Sequence, residues 1–360
     1  MTKPISNNFC VAVTGLHRGE NPQSGSAVIR SIRRAYPQVK IVGLCYDPME
    51  SGIYSVEYDH VDMTYLLPLP IIGQKTLFER IKEIIAITKI DFLIPCLDSE
   101  IENFIGISDE LLEFGVKINL PSIYSLSLRS KENLPILCEE IGISYPRTLV
   151  ANNFYDASKF AEENGYPIYI KGHFYEAHLS YNAQQIEDIF IKLKYDWGLP
   201  IIAQQCLFGE EYNVTGIGDG SGNISVFCEI RKLLRTKNGK GFAGVVIDDP
   251  ALFLNSLKII KRLNWNGPFE LEFIKSNNGI YYLIEMNPRF PAWVDFPSQL
   301  GCNMPAALMN APTSSGLEKN QICAPGKMFI RHCIDLAGDM SDFADLSIDG
   351  MKKLKTYSRI

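Results

Sequence analysis

Between positions 270 and 289 the chain gathers Glu270, Glu272, Glu285, Asn287 and Arg289, side chains whose types fit one kind of chemistry. Carboxylates with a neutral amide oxygen make a donor set for a hard divalent cation. Such a cation takes oxygen ligands, keeps part of its water and is commonly shared between protein acids and the phosphates of a nucleotide. Glu272, Glu285 and Asn287 are the candidate metal ligands, with Mg2+ as the cation and Mn2+ as an alternative that accepts the same oxygen donors. Arg289 offers a planar fork of donors to a phosphate or a carboxylate.

A hairpin must position them. From Gly267 to Ile274 apolar and polar residues alternate, Ile280 to Ile284 is rich in β-formers, and a polar turn containing Asn278-Gly279 joins the two runs. That dipeptide predicts a two-residue type I′ turn with both residues at positive φ. Position 277 then pairs with 280, Glu272 falls opposite Glu285, and Glu270 falls opposite Asn287. Like charges facing one another about 5 Å apart across a strand pair destabilise it. A bound cation would remove that repulsion; a surface hairpin with solvated acids is the plainer alternative.

Other segments add charge. Lys171 ends a short apolar strand, and a lysine emerging from a buried strand needs an anion nearby. Lys131 opens a helix that runs to about Glu140 and is closed by Gly142; a lone lysine there is ordinarily solvated and is opposed by the helix dipole. Positions 231 to 241 form the one dense cationic stretch of an acidic chain, and Arg231 and Lys240 are its candidates for meeting polyphosphate or a substrate carboxylate. A charge run is also commonly a solvated face.

Ahead of these, Phe9 to Thr14, Val39 to Tyr46, Phe92 to Pro95 and Val116 to Leu120 read as strands. Helical segments at Ala27 to Tyr36, Lys75 to Thr88 and Ile101 to Phe114 alternate with them. That alternation predicts a small parallel sheet covered by helices. Gly15, Gly19 and Gly25 miss the G-x-G-x-x-G spacing, which argues against a dinucleotide site. Ligands of open α/β sheets collect at the carboxyl ends of strands. Asp98 and Glu100, just past the third strand, are therefore candidates for holding a cationic or amine-bearing substrate, or else the cap and first-turn acid of the next helix.

Glu272 followed by Glu285-Met286-Asn287-Pro288-Arg289 resembles the metal-binding signature of the ATP-grasp superfamily, in the branch of biotin carboxylase and the carbamoyl-phosphate synthetase large chain. The order of the other segments extends the likeness over roughly residues 10 to 310. It implies a mixed α/β and α+β chain: a parallel-sheet pre-ATP-grasp domain (1–124), a subdomain with the phosphate lysines (125–203), a second subdomain with the metal site (204–312) and an extension (313–360). It implies that Lys131 and Lys171 contact phosphates of ATP, that the linker Gln204, Gln205, Cys206 and Leu207 reads adenine, and that Glu211 holds the ribose. One departure stands out: relatives carry a Gly- and Ser-rich loop over the phosphates where this chain has His173 to His178.

Composition bounds the partners. Hydrophobic residues make 46% and charged residues 21% of 360, ordinary for a globular chain, and a net charge of −6 with no long run of consecutive basic residues argues against nucleic acid. No run of 18 apolar residues offers a membrane span. Nine scattered cysteines without a C-x-x-C pair read as reduced core residues of a cytoplasmic protein. The resemblance implies small-molecule partners, a carboxylate and an amine, with a homodimer possible. The reading is an ADP-forming carboxylate–amine ligase using Mg-ATP; a bicarbonate-using enzyme and a non-catalytic nucleotide binder are the alternatives.

Overall fold

In the computed structural model of the chain, residues 8–19, 21–172, 176–236, 239–310 and 323–353 are described. His173 to Tyr175 of the departing loop, Lys237 and Asn238 of the cationic stretch, and parts of the 313–360 extension lie outside them.

Strands β1 (Cys10–Val13), β2 (Lys40–Cys45), β3 (Met63–Leu66) and β4 (Phe92–Ile94) run parallel, and β15 (Met351–Lys353) joins antiparallel, in the order β15-β3-β2-β1-β4. Cys-Val-Ala-Val in β1 is buried throughout, the continuous apolar pattern of a strand covered on both faces. Two expectations change here. Val116 to Leu120 makes only a single bridge, Lys117 to Phe92. The fourth parallel strand is Met63–Leu66, from a stretch that reads as irregular because four mixed residues show no clear period. The helix expected over 101–114 starts at Asp98 and breaks near Ile107.

A second sheet, β5 (Thr148–Ala151), β6 (Ile168–Lys171), β7 (Ala177–Ser180) and β8 (Ile201–Gln205), has the order β5-β8-β6-β7 and is antiparallel. Its apolar face is buried with residues of the helices Phe154–Asn164 and Ala183–Trp197. The third sheet comprises β9 (Gly209–Asp219), β10 (Ile224–Arg235), β11 (Gly241–Val246), β12 (Asn266–Ser276), β13 (Tyr281–Asn287) and β14 (Met328–Ile330), in the order β13-β12-β9-β10-β11-β14. The tail beyond 312 thus supplies an edge strand to each of two sheets.

The β12–β13 hairpin differs from the simple turn. Gly279 has φ +82°, whereas Asn278 is not among the positive-φ residues, and Ser276 exchanges backbone hydrogen bonds with Gly279 (2.8 Å) and Ile280 (3.0 Å). The loop therefore holds three residues, 277–279, with glycine in the left-handed position. Phe273 pairs with Leu283 but Glu272 pairs with Glu285, so Ile284 is a β-bulge. The extra loop residue and the bulge cancel, and Glu272 still faces Glu285, as Glu270 faces Asn287.

Candidate active site

Alternation along each strand of the third sheet fixes what shares a face with Glu272. Register places Asn213 beside Glu272 and Thr215 beside Glu270 on β9, with Glu211 two residues further along. On β10, Ile230 pairs with Asn213, so Lys232 comes to the same face and Arg231 to the other. Lys232 is almost fully buried, with Nζ 2.7 Å from Glu272 Oε2 and 3.3 Å from Glu211 Oε2. Glu211 also pairs with Arg235. Arg231 instead meets Glu210 at 2.7 Å on the reverse face and is well exposed. The position assigned to Arg231 in the site thus belongs to Lys232, because a step of one residue exchanges the faces of a strand.

Glu270 is buried and accepts from four donors: Asn213 Nδ2 (2.6 Å), Asn287 Nδ2 (3.2 Å), Arg289 Nη1 (3.0 Å) and Trp293 Nε1 (3.2 Å). Asn287 also reaches Glu272 Oε1 at 3.4 Å. Arg289 donates through Nε to Asp98 Oδ2 at 2.8 Å, tying the third sheet to the end of β4. Arg129 Nη1 approaches the other Asp98 oxygen at 3.9 Å. Burial works against the Asp98 carboxylate, yet Arg289 and Arg129 hold its pKa below the ordinary value.

Glu100 does not face this cleft. It is fully enclosed, accepting from Thr14 and Tyr46 and from the Cys96 and Leu97 amides at 2.8 and 2.9 Å. It ties β1 to the loop after β4, and burial pushes its pKa up to about 7. Of its two sequence readings, the helix-start acid is the one the structure carries, which removes Glu100 from the substrate-binding candidates.

Across the cleft, Lys171 at the end of β6 donates to Gln204 Oε1 at 2.6 Å, and Gln204 Nε2 donates to Thr148 at 3.0 Å. The Gln204 side chain is thereby committed to protein partners. Gln205 pairs through its backbone with Arg147 (2.9 Å), and Gln205, Cys206 and Leu207 are half-buried in the passage from β8 to β9. Lys131, in the turn before the helix Leu134–Ile141, has Nζ 3.9 Å from Glu285 Oε1. Lys131, Lys171, Gln204, Pro146, Leu283 and Ile284 line one cavity between the second and third sheets. Burial first, with Lys131 opposing and Glu285 favouring the charge, brings the Lys171 pKa down to about 8. Lys240 donates to Pro22 O at 3.1 Å; burial and Arg289 bring its pKa down to about 8.

Glu272 and Glu285 with Asn287 supply too few ligands for a closed cage, and the described residues hold no group of three His, Cys, Asp or Glu fit for a metal. That set suits a cation that keeps water and takes further oxygens from phosphate. Asn287 donates through Nδ2, so Oδ1 is the atom a cation would use. Composition and spacing did not single out Lys232, Asn213, Arg129 or Trp293. The strand period was the available signal for Lys232 and Asn213; Arg129 and Trp293 enter through tertiary packing.

The parallel sheet followed by two antiparallel sheets has the fold of solved ATP-grasp structures. No family model matches the chain. Its sequence is 25% identical over 223 residues to the carbamoyl phosphate synthase large chain of Thermotoga neapolitana, covering 58% of this chain and 19% of that one. For the Sulfolobus acidocaldarius protein of the same name the figures are 25% over 235 residues, 62% and 22%. The chain spans about a fifth of those relatives' length. Among solved structures, biotin carboxylase from Campylobacter jejuni aligns with TM-score 0.66 at 15% identity, covering 85% of this chain and 72% of that one. An L-amino acid ligase from Bacillus licheniformis aligns with 0.64 at 13%, covering 85% and 74%. The N5-carboxyaminoimidazole synthase from Aspergillus clavatus, in complex with ADP and its ribonucleotide, aligns with 0.62 at 16%, covering 90% and 82%. Among the described residues no helix is long and apolar enough to cross a membrane.

Proposed function

We propose that the chain is an ATP-dependent, ADP-forming ligase that activates a carboxylate as an acyl phosphate for attack by an amine. The observation that carries the reading is that Lys131 and Lys171 line one cavity between the sheets, with Lys131 Nζ 3.9 Å from Glu285 Oε1. Two buried or half-buried ammonium groups in one cavity can receive phosphate oxygens, and the neighbouring Glu285 and Glu272 would share a cation with the same phosphates. ATP supplies those phosphates, with its base in the passage Gln204 to Leu207 and its ribose near Glu211. Mg2+, or Mn2+ in its place, would be held by Glu272, Glu285 and Asn287 and would neutralise charge between phosphates when bound.

Phosphoryl transfer needs alignment and charge neutralisation more than covalent help. Lys131 and Lys171 neutralise phosphate oxygens. Arg289, braced by Asp98 and Glu270, orients the carboxylate that attacks the γ-phosphorus as ADP leaves. The amine nitrogen then attacks the acyl carbon, phosphate departs, and the nitrogen loses a proton. Lys240, with its lowered pKa, stands on the N-terminal wall of that space. The proposal keeps the division at 1–124, 125–203, 204–312 and 313–360, a cytoplasmic location and small-molecule partners. A monomer and a homodimer are both compatible with the described site residues, which come from a single chain.

Bicarbonate as the activated carboxylate is the second reading, favoured by the large-chain relatives. A coupled ADP-release screen tests both. Release that depends on an added carboxylate and amine supports the ligase, and release that depends on bicarbonate supports the second reading. Mg-ATP binding with no turnover, or a Glu285→Gln variant as fast as the parent, defeats both.

A further inference from the structure

The face of β8 that carries Gln204 also carries Ile202, and both line the cavity of Lys131 and Lys171. Ile201 and Ala203 turn the other way, into the core with the helices behind the sheet. Register sets Gln204 between Thr148 on β5 and Tyr169 on β6. The residue is only 8% exposed, so both ends of its amide need partners.

The two ends of an amide are alike in shape and are told apart by what surrounds them. Lys171 can only donate, and its Nζ lies 2.6 Å from Gln204 Oε1. On the other side the single hydroxyl proton of Thr148 goes to Pro146 O at 2.8 Å. The Thr148 oxygen therefore has only lone pairs left to offer, and Gln204 Nε2 donates to it at 3.0 Å. Both neighbours impose one orientation, with the acceptor toward the lysine and the amino group toward β5. Oε1 keeps a second lone pair, which an exocyclic amino group of a base can fill. A carbonyl at the same place would set oxygen against oxygen.

We propose that Thr148 is a positioning residue for base selection: by tying down the Gln204 amino group it makes the cleft choose a 6-aminopurine nucleotide over a 6-oxopurine one. This rests on the ligase reading, which puts the base beside Gln204. Thr148 acts through Gln204 and not by touching the base. Without its oxygen, Nε2 becomes a buried donor lacking an acceptor. A 6-oxo base supplies that acceptor, whereas a 6-amino base brings one more donor.

Calorimetric titration of Mg-ADP and of Mg-GDP into the full chain reads the preference without turnover. The parent favours ADP at least about tenfold. Thr148→Val keeps the shape and loses the hydroxyl, and it moves the ADP-to-GDP affinity ratio toward GDP by about 5- to 150-fold, the range for one buried donor left unpaired. Thr148→Ala moves it the same way, and Thr148→Ser, which keeps the hydroxyl, leaves it within about twofold of the parent. In a Gln204→Leu background the ratio no longer responds to Thr148→Val, because the amide that carries the effect is gone. Equal affinity of the parent for both nucleotides, a ratio unmoved by Thr148→Val and Thr148→Ala, or an effect that persists beside Gln204→Leu overturns the proposal and leaves the nucleotide site standing. If neither nucleotide binds the parent, the ligase reading has failed and the inference falls with it.

Discussion

Lys232 places an ammonium where a metal cation would act, so replacing it by methionine tests the acid pair without removing an acid. Methionine keeps much of the apolar stem. Burial alone would lower the lysine pKa, but Glu272 and Glu211 outweigh it and hold the pKa above the ordinary value. Unit charges about 4 Å apart interact by about 4 kcal/mol at an effective dielectric of 20, and breaking a buried pair costs about 3–5 kcal/mol. The two acids are 27% and 23% exposed, and solvent screening brings the loss toward about 2–3 kcal/mol. A cation binding Glu272 must displace the ammonium in the parent and not in the variant. If half of that interaction is at stake, the variant gains about 1–2 kcal/mol in divalent-cation affinity, about 5- to 30-fold. Mn2+ titration followed by electron paramagnetic resonance measures this, and urea unfolding with and without Mg2+ measures the matching rescue of stability. Unchanged or weakened Mn2+ binding in Lys232→Met refutes the competition and with it the role of Glu272.

Three further outcomes follow from the same geometry. Glu285→Gln lowers ADP release by at least about 100-fold, as loss of one electrostatic contact at a phosphoryl-transfer site does; its circular dichroism is unchanged because the side chain is 36% exposed. Arg231→Ala changes turnover by less than about threefold and stability by less than about 1 kcal/mol, since its pair with Glu210 is on the exposed reverse face; a large kinetic loss would return Arg231 to the site. Lys171 gives opposite signs for binding and folding. Its folded pKa of about 8 lies below the unfolded value of 10.5, so the unfolded chain binds more protons between them and its contribution to stability rises with pH across that window, whereas nucleotide affinity falls as pH rises through about 8. Calorimetric ADP titrations from pH 7 to 9 in the parent and in Lys171→Met check this; the same pH slope in both excludes Lys171.

How far the sequence reached depended on the range of the interactions. Strand pairing between Glu272 and Glu285 was legible because the hydrophobic period and the turn are local, and a turn assigned one residue too short was offset by a bulge that no local rule announces. Arg231 and Lys232 are adjacent, and composition cannot choose between them; only the pairing of Ile230 with Asn213 does. Glu100 carried the right chemistry beside the right strand end, but its four donors come from β1, β2's end and the loop after β4, contacts invisible along the chain. Met63–Leu66 was missed for the same reason, as its neighbours β2 and β15 lie some 20 and 290 residues away, and pairing alone makes it a strand.

The bulge at Ile284 has a use that the cancellation of register hides. In a hairpin with a two-residue turn, Ile284 would lie opposite Phe273 and enter the core, and Leu283 would face the cleft. With three loop residues it is Leu283 that pairs with Phe273, fully buried, while Ile284 is half-buried, with both residues lining the cavity of Lys131 and Lys171. The hairpin thereby keeps its acids in register and adds an apolar surface next to Glu285, on which a flat base or the phosphate-proximal sugar can rest. The two residues should separate stability from binding. Leu283→Ala opens a core cavity and costs about 2–5 kcal/mol in unfolding free energy, with ADP affinity little altered in the folded fraction. Ile284→Ala costs about 1 kcal/mol or less in stability, being half-exposed, and weakens ADP binding about threefold to fivefold through lost apolar contact. Urea unfolding and calorimetry on both variants give the four numbers. If Ile284→Ala is the one that unfolds the protein, the turn is the shorter kind, Ile284 belongs to the core, and the acid pair owes its register to the turn alone.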